Sequence, residues 1–156
     1  FAHEMKTTDL PNPNMFLRSH DIVSLFTNVP LKETIDICAD ALYGGGDLAP
    51  PSFSRKVFVE LLNTATCSVE FSFNDTIYMQ TDGVAMGSPL GPILANIFVG
   101  FHENRLFVTD ETKPPFMYRR YVDDTFVICE NETEFDDFFD NVAFRSCEYS
   151  SDSILY

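Results

Sequence analysis

Three aspartates stand where carboxylates could act together. Asp21 lies in His20-Asp21-Ile22-Val23, and Asp123 and Asp124 lie in Tyr121-Val122-Asp123-Asp124. Both stretches are rich in the apolar and β-branched residues that build strands. Taken singly, each has an ordinary reading. Asp21 caps a strand end, and the Asp pair forms a tight turn. Taken together they have another. If the two strands are neighbours, the carboxylates converge at one edge of a sheet. Carboxylates that close repel, and their pKa values rise unless a cation neutralises them. Hard oxygen donors suit Mg²⁺, which is commonly held by one or two carboxylates plus substrate phosphates. Two such ions about 3.5–4 Å apart polarise an attacking hydroxyl and stabilise a leaving pyrophosphate. The chemistry that fits is nucleotidyl transfer.

Periodicity and turn residues outline the elements that must position these groups. Residues 1–15 are polar, contain Pro11-Asn12-Pro13-Asn14, and read as a loop or linker end. Phe16–Ser24 reads as a strand with Asp21 near its end. Asn28-Val29-Pro30 turns into a helix, with Pro30 suited to the first helical position. Leu31, Ile35, Cys38 and Leu42 then recur at helical spacing until Gly44-Gly45-Gly46. Ser52 can cap a second helix that buries Phe53, Val57, Phe58, Leu61 and Leu62. Val69, Phe71 and Phe73 alternate with polar residues, Asn74-Asp75 turns, and Ile77 and Met79 continue the pattern, which predicts a hairpin.

Thr81–Gly91 is rich in Gly, Ser and Pro and precedes a helix over Ile93–Leu106. Phe116–Tyr121 and Thr125–Cys129 predict two strands flanking Asp123-Asp124. Thr133–Val142 predicts an acidic amphipathic helix with Phe135, Phe138 and Phe139 inward, and a last strand is weakly marked. Strands separated by helices, together with hairpins, imply an α+β fold: an antiparallel sheet with helices packed on one face.

The 156 residues fit one domain, and a 45% hydrophobic content supports a packed core. The net charge of −14, from 24 acidic and 10 basic residues, weighs against nucleic-acid binding by this chain alone. Duplex affinity comes largely from Lys and Arg that neutralise phosphates. Cys38, Cys67, Cys129 and Cys147 are widely scattered. That spacing argues against zinc and for free thiols with no disulfide partner, in a reducing, intracellular setting, with nucleus and cytoplasm both open. The longest apolar stretch, around Pro89–Phe101, is too short and interrupted to span a bilayer, so no membrane association is expected. His3, His20 and His102 fall in no metal-binding pattern. The absence of an initiator Met and the abrupt end at Ser153-Ile154-Leu155-Tyr156 suggest a piece of a longer protein.

Tyr121-Val122-Asp123-Asp124 resembles the YxDD signature of reverse transcriptases. Gly83-Val84-Ala85-Met86-Gly87-Ser88-Pro89-Leu90-Gly91-Pro92-Ile93-Leu94-Ala95-Asn96 resembles that family's glycine-rich segment before a long helix. Asp21-Ile22-Val23-Ser24-Leu25-Phe26 resembles its first aspartate motif. The three occur in the family's order. Their wording, with Arg120 before Tyr121 and Thr125-Phe126 after Asp124, is most similar to Penelope-like retroelements, over residues 18–130.

The resemblance implies the palm of a right-hand polymerase, an RRM- or ferredoxin-like core, that copies an RNA template into DNA. It places the palm at residues 16–145, with 1–15 as a linker or finger remnant and 146–156 as a truncated end. Asp21 and Asp123 would bind two Mg²⁺ ions, or Mn²⁺, helped by the Ile22 carbonyl and by Asp124. Phe26 would lie under the sugar of the incoming dNTP and disfavour a 2′-hydroxyl. Met86 and Gly87 would touch that nucleotide. Gly83, Ser88, Pro89, Tyr121, Val122 and Arg120 would meet the DNA primer or the template. Outside the resemblance, Gly83 reads equally as a structural turn, and Arg119 and Arg120 equally as strand decoration.

Met86 stands where many family members carry Gln, and Gly91 where many carry Ser. No finger motif is recognisable around Lys6 and Arg18, and these 156 residues themselves carry no recognisable thumb or nuclease. Fingers and thumb supplied by a parent chain would carry the basic surface that this acidic stretch lacks. On that view the stretch by itself polymerises little or nothing. A truncated relic without activity, and an acidic interaction domain, are the alternatives from other classes.

Overall fold

The computed structural model describes residues 7–12, 14–46, 48–67, 69–108, 113–142 and 149–150. The strands β1 (Phe16–Ile22), β4 (Met117–Tyr121), β5 (Asp124–Cys129) and β6 (Tyr149–Ser150) form one sheet in the order β4-β5-β1-β6. Every neighbouring pair is antiparallel. A separate hairpin pairs β2 (Glu70–Phe73) with β3 (Thr76–Met79). The helices are α1 (Leu25–Asn28), α2 (Leu31–Tyr43), α3 (Arg55–Thr66), α4 (Gly91–Val108) and α5 (Glu132–Val142).

The alternation along β1 decides which side of the sheet is which. His20 and Ile22 are buried, whereas Leu17, Ser19 and Asp21 are exposed. A one-residue slip would exchange these sets, so the pairing with β5 is strongly specified. On the inner face Ile22, Val127 and Cys129 meet Leu94, Phe98 and Val99 of α4 and Phe135 and Phe138 of α5. Leu25, Val29, Leu31 and Cys38 join the same cluster. Phe98 and Phe135 are almost wholly buried, and removing either ring would cost about 3–5 kcal/mol. Among the described residues, the outer face carries a small cluster of Met15, Met117 and Ile128 with Phe126 against it. The helices thus cover one face, as expected, and the other is apolar at one end and acidic at the end where Asp21 lies.

Several expectations shift. The second helix is capped by Ser54, whose Oγ accepts from the Val57 N–H at 3.4 Å, and not by Ser52. Its expected buried face is largely open: Phe53, Val57 and Leu61 are exposed, and only Phe58 and Leu62 pack on the core. The cause is that α3 leans on α2 through one edge, with Phe58 against Tyr43 and Phe53. The hairpin is exposed on both faces, although Phe71 and Tyr78 stack at 5.6 Å. Pro30 caps α2 from outside rather than opening it. The helix α4 starts at Gly91 and reaches Val108, longer at both ends than its apolar pattern implied. Phe135 and Phe138 point inward as expected, and the side chain of Phe139 lies outside the described residues. Glu134 and Asn131 begin α5 together: Asn131 Oδ1 accepts from the Glu134 N–H, and the Glu134 carboxylate accepts from the Glu130 N–H. The strand β6 pairs with the end of β1.

Candidate metal and nucleotide site

The register of the sheet brings two of the three aspartates face to face. Asp21 on β1 is the cross-strand partner of Asp124 on β5. Directly opposed residues share a face, with Cβ atoms about 4.5–5.5 Å apart, and like charges placed so destabilise the pair. Tyr121 is the partner of Asp124 on its other side. Tyr121, Asp124 and Asp21 therefore form one row across three strands on the exposed face, and Tyr121 is 80% exposed. Arg119 lies on the same face, opposite Phe126.

The expected turn at Asp123-Asp124 moves back by one residue. The turn residues are Val122 and Asp123, and Asp124 already pairs as the first residue of β5. The inward alternation of Thr125, Val127 and Cys129 forces that phase, because it places Asp124 outward beside Asp21. The Asp123 carbonyl accepts the Ile22 N–H at 3.0 Å, which ties the turn to the end of β1. Val122 has φ 58°, a left-handed conformation that is costly for a β-branched residue. Strain of that kind, about 1–3 kcal/mol, persists only where the surroundings hold it.

Arg120 faces the other way. Its Nε and Nη2 donate to the two Glu103 carboxylate oxygens at 2.6 and 2.9 Å. Its Nη1 donates to Asn96 Oδ1 at 2.7 Å and to the Val122 carbonyl at 2.9 Å. The Arg120 and Glu103 side chains are only 10% and 13% exposed. This is a bracing position under the turn. Arg119, by contrast, lies on the open face.

The glycine-rich segment is pinned to α1. The Val84 N–H donates to the Phe26 carbonyl at 2.6 Å. Gly83 has φ 78°, and a Cβ there would lie 2.6 Å from the Thr27 carbonyl oxygen, so only glycine fits. A Cβ on Gly91 would lie 3.8 Å from Phe26 Cδ1, which puts the ring of Phe26 beside the start of α4. Phe26 itself is half-buried against the main core. Met86 is 75% exposed, and Gly87 and Pro89 are exposed with it. Ser88 sits between them, its carbonyl accepting the Gly91 N–H at 3.0 Å.

One contributor escaped the sequence reading. The Asp82 carboxylate accepts from the Leu31 N–H at 3.1 Å and from the Gly83 N–H at 2.8 Å. It caps α2 and locks the glycine-rich segment in one contact. The signal was present in Asp82-Gly83, a turn-forming dipeptide, but its partner lies far away in the chain.

The donor set matches a hard divalent cation: carboxylate oxygens on an open face, where phosphates could complete the shell. Among the described residues, no group of three or more His, Cys, Asp and Glu side chains is placed to hold a metal ion on its own. Mg²⁺ sites that share their ligands with substrate phosphates need no such cage. Beneath this face, His20 lies against the Phe135 ring at 4.8 Å. Burial, then the Arg18 guanidinium, push its imidazole below its usual range, with Asp136 opposing. Cys38, Cys67 and Cys129 are free thiols, and Cys147 lies outside the described residues. Burial, with Glu134 next, pushes the Cys129 thiol up to about 11. No helix of the described residues is long and apolar enough to cross a membrane.

No family model and no curated protein matches the chain. Among solved structures, the fold is similar to telomerase from Candida albicans, solved in complex with a fragment of telomeric RNA. That match has a TM-score of 0.62 and 15% identity, and covers 89% of this chain and 26% of that one. Apo telomerase from Candida tropicalis gives a TM-score of 0.61 at 15% identity, covering 97% of this chain and 33% of that one. The chain thus spans between a quarter and a third of the telomerase chains it matches. It shares an α+β fold with part of telomerase, and its paired aspartates lie on the face of the sheet that the helices leave open.

Proposed function

We propose that this chain is the palm of a reverse transcriptase, which adds dNTPs to a DNA primer along an RNA template. The observation that carries the reading is the cross-strand pair Asp21–Asp124, with Asp123 on the adjoining turn. Two like charges opposed across a ladder reduce stability, and a core-building role does not explain them. A cation would remove that cost.

Asp21, Asp123 and the Ile22 carbonyl would hold the ions, with Asp124 in support. Bound Mg²⁺ or Mn²⁺ supplies charge that activates the primer 3′-hydroxyl and stabilises departing pyrophosphate. The remaining work belongs to the chain itself. Phe26, backed by Gly91 and held through the Val84 N–H, limits the space beside the sugar. Met86 and Gly87 meet the nucleotide from the exposed loop, and Gly83, Ser88 and Pro89 shape that loop against template. Tyr121 and Arg119 line the open face where a primer end would lie, with Val122 on the turn beside them, packed against the core. The Penelope-like wording of the motifs makes a retroelement the source we propose. Acidic charge on the palm is consistent with basic fingers and thumb elsewhere in a parent protein.

Primer extension on an RNA template, by a protein that carries this chain with its fingers and thumb, tests the reading. Mg²⁺-dependent extension is expected, and Asp123→Asn should reduce it by at least about a thousandfold, the scale of losing metal-based charge stabilisation. Full activity of Asp123→Asn would remove the assignment.

A further inference from the structure

The two peptide carbonyls of the turn, those of Val122 and Asp123, are held by different parts of the molecule. The Asp123 carbonyl is held by β1, through the Ile22 N–H at 3.0 Å. The Val122 carbonyl is held by Arg120 Nη1 at 2.9 Å. Arg120 is not free to swing, because Glu103 takes its Nε and Nη2 in a bidentate pair and Asn96 shares its Nη1. Glu103 is fixed in turn by the Tyr118 hydroxyl, two residues before Arg120 on the same face of β4. Asn96 and Glu103 both lie on α4, the helix that begins at Gly91 beside Phe26. One guanidinium thus joins the turn before Asp124 to the helix behind the nucleotide loop. A planar fork with several donors can do this, whereas a point charge on a flexible stem cannot.

We infer that Arg120 is a positioning residue: it holds the strained Val122 peptide so that Asp123 and Asp124 keep the orientation a divalent cation needs. Val122 at φ 58° has an unfavourable backbone, and a strained turn relaxes unless something opposes it. The Arg120 bond to the Val122 carbonyl opposes it from below while Ile22 opposes it from the side. The inference rests on the proposed metal role of the aspartates. It makes Arg120 act through the turn rather than on primer phosphate, and it makes Glu103 and Asn96 part of the same device.

A purely structural Arg120–Glu103 pair would brace α4 against β4, and its loss would loosen the whole sheet evenly. Hydrogen exchange on the full chain separates the two roles. The Ile22 amide reports the turn, because its acceptor is the Asp123 carbonyl. The amides of Val127 and Ile128, at buried positions in the middle of β5, report the sheet. Arg120→Lys keeps a cation for Glu103 but loses the fork. It should speed Ile22 exchange about tenfold or more relative to Val127 and Ile128, and weaken Mn²⁺ binding about tenfold, as loss of an outer-shell partner does. Glu103→Gln, a milder change should Arg120→Lys fail to fold, should shift both readouts in the same sense.

Equal acceleration at Ile22, Val127 and Ile128 would overturn the inference. So would selective opening of Ile22 with Mn²⁺ affinity unchanged. A wild-type chain that takes up no Mn²⁺ would overturn the proposed function instead, and the Ile22 comparison would then decide the role of Arg120 in the turn by itself.

Discussion

At the scale of single residues, the site depends on positions where only one side chain will do. Gly83 is the sharpest case. A methyl group there would sit 2.6 Å from the Thr27 carbonyl oxygen and 2.9 Å from its carbon, at a φ of 78°. Both terms act in the same direction, so Gly83→Ala should lower stability by about 2–4 kcal/mol, read as a lower urea midpoint. An unchanged midpoint would mean that the loop does not cross Thr27 as described. Gly87, at φ 90° with nothing near its missing Cβ, has the backbone constraint without the clash. The thiols form a second contrast. Cys67 is exposed, while Cys38 and Cys129 are buried with their thiols pushed up by burial. A thiol-specific reagent at neutral pH should label Cys67 well before the other two, since the thiolate is the reacting form. Mass spectrometry of the digested chain checks this, and early labelling of Cys129 would contradict the packing of β5.

At the scale of elements, much was legible in the sequence. The three strands that matter were visible because apolar, aromatic and β-branched residues gather in each between turn residues. The convergence of Asp21 with the later aspartates follows from pairing two such strands. What the sequence did not show was phase. Asp124 joined β5, and the turn fell on Val122, because the inward alternation of Thr125, Val127 and Cys129 outweighs the turn preference of an Asp pair. The outward face of α3 was also illegible. Apolar spacing marks Phe53, Val57 and Leu61 as one stripe, but periodicity cannot say that the described residues leave it exposed. The inward direction of Arg120 was illegible for a related reason: adjacent strand residues point to opposite faces, so one of Arg119 and Arg120 had to turn inward, and the sequence does not say which.

The inner face of β1 also predicts a pH dependence. His20 is buried against Phe135, and its imidazole is pushed down by burial and by Arg18, with Asp136 opposing. A depressed histidine binds its proton more readily in the unfolded chain. Stability should therefore fall as pH drops through about 6.5 toward the lower folded value. The urea midpoint should drop between pH 7.5 and 5.5, and His20→Phe should remove part of that drop. An identical drop in His20→Phe would assign it to other groups.

At the scale of the whole molecule, the net charge of −14 and the proposed activity are reconciled by where the charge sits. Part of it pairs locally, as Glu132 and Asp136 do with Arg18, and Glu130 and Glu134 with Lys113. The pair that matters is Asp21 with Asp124, on the face the helices leave open. The packing of the core fixes the register that opposes these two positions but does not require both to be acidic, and a divalent cation would make two carboxylates there favourable. Paramagnetic broadening by Mn²⁺ measures this most directly, through the backbone amide signals of the chain. The signals of residues 20–22 and 122–125 should broaden first, and Asp21→Asn or Asp123→Asn should abolish that effect without unfolding the sheet. Broadening that begins elsewhere, or that persists unchanged in both variants, would contradict the account.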